Sequence, residues 1–170
     1  MKFLKIALAT AVIAGFASTA AAQDSGIYVN AGVDAYEFDF YTASIKVGYD
    51  FNDYIGIEGQ AGFGIGDQDI DGIDVGVDNT FAGFGVLSLP VNQDIDLFAR
   101  VGYHSTQFGF SGAISADLDT DGLAAGVGGQ YFFNGGQNGL RVEYTLKDID
   151  SDVGSLGDAN VFSASYVRKF

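Results

Sequence analysis

The chain has 170 residues, with 22 Asp and Glu against 8 Lys and Arg, a formal net charge of −14, 48% hydrophobic residues and no cysteine. That acid excess argues against nucleic acid and anionic head groups as partners, and without cysteine there is neither disulfide nor thiolate chemistry. One histidine is too few for a zinc site, while 25 glycines against one proline favour strands and turns over long helices.

Residues 1–22 read as a cleaved signal peptide. Lys2 and Lys5 make a positive start, Ile6 to Phe16 an apolar stretch, and Ala20, Ala21 and Ala22 a small-residue cleavage site. Residues 23–170 read as a single domain. No later run approaches the ~18 apolar residues of a membrane-spanning helix.

Eight alternating segments follow in order. They are Gly26–Asp34, Thr42–Phe51, Tyr54–Gly66, Asn79–Leu89, Ile95–Thr106, Asp121–Phe133, Gly139–Lys147 and Ala159–Phe170. Each is close to the ~9–11 residues that a tilted strand needs to cross hydrocarbon. Short connections at Asn52-Asp53, Pro90–Asp94 and Asn134–Asn138 carry turn residues. They alternate with longer, mostly acidic ones at Ala35–Tyr41, Asp67–Asp78, Gln107–Thr120 and Asp148–Asp158. An even strand number with short turns on one side and long loops on the other is the plan of a transmembrane barrel.

Period-two alternation assigns the faces. Ala43, Ile45, Val47 and Tyr49 oppose Ser44, Lys46, Gly48 and Asp50; Leu140, Val142, Tyr144 and Leu146 oppose Arg141, Glu143, Thr145 and Lys147. The polar set carries charges of both signs, Lys46, Glu58, Arg100, Arg141 and Glu143, whereas the apolar set has almost none mid-strand. A watered face does not look like the second set; a lipid face does. The polar set therefore lines the interior, where eight strands leave just enough room for side chains. Asn79–Leu89 puts Phe84 and Val86 with the interior set, which leaves its phase open.

Pairing arithmetic brings some of these residues together. With Asp50 and Tyr54 flanking the first short turn, Lys46 lies opposite Glu58. With Phe133 and Asn138 flanking the third, Gln130 lies opposite Arg141. The third and seventh segments face each other across an eight-stranded barrel, so Glu58 and Arg141 can meet through the lumen. Lys46, Glu58, Arg100, Gln130, Arg141 and Glu143 then form a plug of ion pairs. The aromatics Phe51, Tyr54, Phe98, Phe132, Phe133 and Phe170 read as a girdle on the short-turn side.

With those residues in view, the chain resembles the small OmpA/OmpX-like outer-membrane barrels from Ser25 to Phe170. The likeness rests on YIGIEGQAGFG at Tyr54–Gly64, LFARVGY at Leu97–Tyr103, GVGGQYFF at Gly126–Phe133, GLRVEYT at Gly139–Thr145 and the terminal Phe170. It implies an eight-stranded antiparallel up-and-down barrel in a Gram-negative outer membrane. It assigns Glu58 and Arg141, with Arg100 beside them, to the interior salt-bridge network. It also implies insertion by the outer-membrane assembly machinery through the final strand, with Tyr166 and Phe170 as the signal. Two positions depart from the pattern. Gln130 stands where an acidic residue is common, and Arg168 stands where an apolar one is usual.

Other constellations are weaker. Asp67, Asp69, Asp71, Gly72 and Asp78 approach the spacing of a calcium loop, but the final glutamate is missing. Similar runs occur at Asp117, Asp119, Asp121 and at Asp148, Asp150, Asp152. His104 precedes Ser105, yet alternation sends them to opposite faces, so they cannot act as base and nucleophile. The expected protein is thus non-enzymatic, without cofactor or bound metal, and serves envelope structure or surface interaction. Its expected partners are outer-membrane lipid and lipopolysaccharide, the assembly machinery and an extracellular or host ligand, with no nucleic acid. A narrow porin-like channel, a lipid A-modifying enzyme and a soluble secreted barrel are the alternatives.

Overall fold

The computed structural model describes residues 26–37, 40–65, 67–70, 73–111, 116–133, 135–151 and 154–170; the expected signal peptide, residues 1–22, lies outside them. Among the described residues nine strands are formed: β1 Ile27–Tyr36, β2 Phe40–Asp50, β3 Ile55–Gly64, β4 Asp67–Ile70, β5 Ile73–Pro90, β6 Ile95–Ser111, β7 Ala116–Phe133, β8 Asn138–Ser151 and β9 Gly154–Lys169. Every neighbour in the order β3-β2-β1-β9-β8-β7-β6-β5 is antiparallel, and β3 pairs with β5 to close the ring. β4 pairs with β5 as β3 does, so β3 and β4 are two parts of one wall and the barrel has eight walls. Closure removes the sheet edges that would otherwise template aggregation.

The sheet is inverted relative to a soluble protein. Val47, Ile57, Val101, Leu123 and Val142 are between half and two-thirds exposed on the outer surface. Lys46, Glu58, Arg100, Arg141, Glu143 and Lys147 are buried inside. Apolar exposure so extensive is rare on soluble monomers and marks a surface that meets another phase or partner.

Two of the short turns share a device. The Asn52 side-chain oxygen accepts hydrogen bonds from the Tyr54 and Ile55 N–H groups at 2.9 and 3.0 Å. Asn92 does the same for Asp94 and Ile95, also at 2.9 and 3.0 Å. An asparagine bonding the backbone just beyond itself is a side-chain mimic of a turn. It corrects the expected first turn: the hairpin closes between Phe51 and Ile55, with the Phe51 N–H on the Ile55 carbonyl at 2.9 Å. The register moves by two residues, which preserves the faces. Lys46 therefore lies opposite Gln60, and Glu58 opposite Gly48. At the third turn Phe133 pairs with Asn138 and Gln130 with Arg141, as the spacing predicts; Gly135 and Gly136, both at positive φ (78° and 86°), turn the chain.

At the opposite end the strands outrun expectation. β5, β6 and β7 have 18, 17 and 18 residues, against 10 and 11 in β1 and β2. Much of Asp67–Asp78, Gln107–Thr120 and Asp148–Asp158, expected as loops, is paired strand. Asp at every second position is itself a strand pattern, and hairpin pairing satisfies backbone groups that a loop would leave to water.

Candidate functional site

The polar lumen is where charged side chains converge, and neighbouring strands build it in three layers. In the central layer, Glu58 projects from β3 and is reached by two arginines, one from the opposite wall and one from two walls away. Arg141 of β8 donates through Nη1 to Glu58 Oε2 at 2.8 Å, and Arg100 of β6 donates through Nη1 to Oε1 at 2.7 Å. The Tyr28 hydroxyl of β1 adds a bond to Oε2 at 3.0 Å. Glu143, two residues along β8 from Arg141 and so on the same face, accepts from Arg141 Nη2 at 2.6 Å and from Lys46 Nζ at 3.2 Å, and pairs with Arg100. Asp34 of β1 accepts from Gln60 at 2.8 Å and from Ser44 at 3.0 Å, with Lys46 Nζ 4.0 Å away.

Three carboxylates (Asp34, Glu58, Glu143) thus face three cations (Lys46, Arg100, Arg141), and the central layer is electrically neutral. The guanidinium carbons of Arg100 and Arg141 each stand 3.9 Å from a ring centre, Phe84 and Phe98 respectively. These rings cover the planar cations by cation–π contact while the forks remain aimed at carboxylates.

A second layer lies toward the long-strand end. Lys147 Nζ donates to the Tyr36 hydroxyl at 2.7 Å and to Thr80 at 3.3 Å. Thr80 meets Thr106 at 2.8 Å, and His104 Nε2 lies 2.9 Å from the Asp148 carbonyl. No carboxylate of a described residue pairs with Lys147. Toward the short turns, Tyr28, Phe132 and Val167 form an apolar layer. Beneath it opens a mouth of about 530 Å³ lined in part by Asp50, Asp96, Gln130 and Lys169. Lys169 Nζ lies 4.2 Å from the Phe132 ring centre and 3.4 Å from Asp96.

Of the expected plug residues, Lys46, Glu58, Arg100, Arg141 and Glu143 are brought together. Gln130 is not; it is half-buried at the mouth, with no hydrogen bond to the network. Phe98 and Phe132 are corrected from the girdle to the interior, where both are buried. They share the parity of Arg100 and Gln130, a signal that outranks proximity to a turn. Phe51 and Tyr54 are exposed on the outside. Sequence reasoning missed Tyr28, Asp34 and Tyr36 as members of the lumen, and it set Lys147 on the inward face but outside the plug. The parity of β1 would have found the first three, but it cannot tell which cross-lumen partners they reach.

His104 is buried while Ser105 is exposed, so the two lie on opposite faces; the hydroxyl beside His104 Nδ1 is that of the buried Thr106, at 3.3 Å. Asp71 and Asp152 of the acidic runs lie outside the described residues. Among the described residues no group of three or more metal-ligating side chains converges.

Comparison with known proteins places this geometry. The profile of the outer membrane protein beta-barrel domain family matches residues 7–170. No curated protein matches the sequence. Among solved structures, the chain is similar to Ail, the attachment invasion locus protein of Yersinia pestis, in complex with the heparin analogue sucrose octasulfate. That likeness has 16% identity over 85% of this chain and 96% of that one, with a TM-score of 0.59. It is also similar to Neisserial surface protein A, at 14% identity over 86% and 98% of the chains, TM-score 0.62. A de novo designed transmembrane β-barrel matches at 15% identity over 87% and 98%, TM-score 0.58. At these identities the shared property is the fold.

Proposed function

Because the chain belongs to the outer membrane protein beta-barrel domain family and resides in the outer membrane, we propose that it is a non-catalytic envelope barrel with a sealed lumen, presenting acidic hairpins to partners outside the cell. The single observation that carries the reading is the distribution of charge. Basic side chains are drawn into the lumen and to the short-turn end. The segments at the long-strand end, 37–39, 67–78, 107–119 and 148–158, contain Asp and Glu and no Lys, Arg or His.

That asymmetry sets the partner class. The Ail structure carries a polyanionic heparin analogue. The hairpins of this chain offer a polyanion no counter-charge, so the proposed ligand is a polypeptide surface rich in Lys and Arg, or lipopolysaccharide approached through divalent cations. Field complementarity of this kind steers association and falls steeply with salt. On the inner side, the final strand with Tyr166 and Phe170 is the proposed recognition element for the assembly machinery.

The catalytic alternative has only the buried Thr106 hydroxyl beside His104 among the described residues, and the channel alternative must pass three neutralised cations, two of them covered by aromatic rings. Binding decides the surface reading. The protein in detergent is expected to be retained on immobilised polylysine, released by salt, and to pass through heparin. Retention on heparin with none on polylysine would overturn it.

A further inference from the structure

One basic residue stands apart from the other Lys and Arg of the mature chain. Lys46, Arg100, Arg141 and Lys147 are buried in the lumen, and Lys169 turns into the mouth. Arg168 alone faces outward. It follows the parity of the exposed Phe162 and Ala164 on β9, with Ser165 and Val167 buried on the other face. None of the ion pairs among the described residues includes Arg168. Its Nε has no hydrogen-bond partner, and its guanidinium carbon lies 5.5 Å from the Phe170 ring centre.

The strand beside it supplies a second donor. Asn138 is the cross-strand partner of Arg168 on β8, so the two side chains emerge side by side on the outer face. The Tyr166 hydroxyl donates to Asn138 Oδ1. That bond fixes the amide with Nδ2 turned away, and Nδ2 has no partner among the described residues. The pair sits at the short-turn rim, where the Lys169 N–H bonds the Gln137 carbonyl at 2.8 Å and the Phe170 N–H bonds that of Ile27 at 2.9 Å. Leu140 and Val142, 57% and 62% exposed, continue the same face of β8 toward the middle of the barrel.

We propose that Arg168 and Asn138 hold the phosphate of a phospholipid in the leaflet that meets the short-turn rim. A guanidinium on the lipid face of a barrel is driven to the interface, where a phosphate diester is the counter-charge at hand. The planar fork takes two phosphate oxygens and the Asn138 amide supplies a further donor. The acyl chains then run along Leu140 and Val142. This explains why an arginine occupies a position that an apolar residue would fill as a lipid contact.

The test is nuclear magnetic resonance of the folded protein in maltoside micelles, which contain no phosphate, titrated with phosphatidylglycerol. The Arg168 Nε–H and Asn138 amide signals should shift together and saturate. R168Q should weaken the apparent affinity roughly tenfold or more, N138A less, and R168K should keep part of the binding. Diacylglycerol and inorganic phosphate at the same concentrations should leave both signals in place. An Arg168 signal indifferent to phosphatidylglycerol would overturn the proposal. So would an equal response to diacylglycerol (an apolar contact only) or to inorganic phosphate (a headgroup-independent anion site).

Discussion

Glu58 receives two guanidiniums and a phenol in a space closed to water, and its worth is seen by removing it. E58Q would leave Arg100 and Arg141 facing each other with only Glu143 to divide between them. The cost of breaking a buried pair from one side is ~3–5 kcal/mol, and denaturant unfolding in lipid vesicles should show a loss of that order. Lys147 provides the contrast. It is buried at 2% exposure with hydroxyl partners and no carboxylate among the described residues, so K147M removes a desolvated charge without orphaning another. We expect that variant to be neutral or more stable in the same measurement, a result opposite in sign to E58Q. The central charges were legible in the sequence because five of them share the inward parity of their strands. Tyr28 and Asp34 were not, because their roles depend on reach across the lumen, which the alternation of one strand does not encode.

Hairpins set the register that brings those residues to one level. Asn52 holds the first short turn with two hydrogen bonds to backbone N–H groups, and its effect is to place Glu58 opposite Gly48 rather than Lys46. At Gly48 an added Cβ would fall 2.0 Å from the Tyr28 ring, so the glycine is the space that lets this tyrosine lie flat and reach Glu58. Replacing Asn52 by alanine removes both bonds at a cost of about 1–2 kcal/mol in all. We expect reduced protection from hydrogen exchange at Tyr54 and Ile55, with the Asn92 turn unaffected; an unchanged pattern would show that strand pairing alone sets the register. The sequence located this turn but misplaced its closure by two residues, since turn composition marks a bend without specifying which carbonyl an asparagine replaces. It also stopped the outer strands early. Alternating Asp suggested solvated loops, whereas such a pattern is equally the solvent face of a hairpin.

Across the whole molecule, two sealing principles coincide. Apolar side chains face outward around the middle of the barrel, where charge is confined to a balanced interior between an apolar layer and a hydroxyl-rich one. The number of walls and the inversion of faces were readable from segment length, segment number and the sign mixture of one parity. The stacking of three layers was not, because it arises from closure, which sets strands far apart in sequence against each other. On the proposed reading, an eight-walled barrel so filled has no continuous aqueous path in its ground state. Single-channel recording of the refolded protein in planar bilayers reads out whether the lumen is sealed. A baseline without large, sustained openings is expected, even at high salt; steady conductance of porin-like size from the intact protein would overturn the sealed lumen.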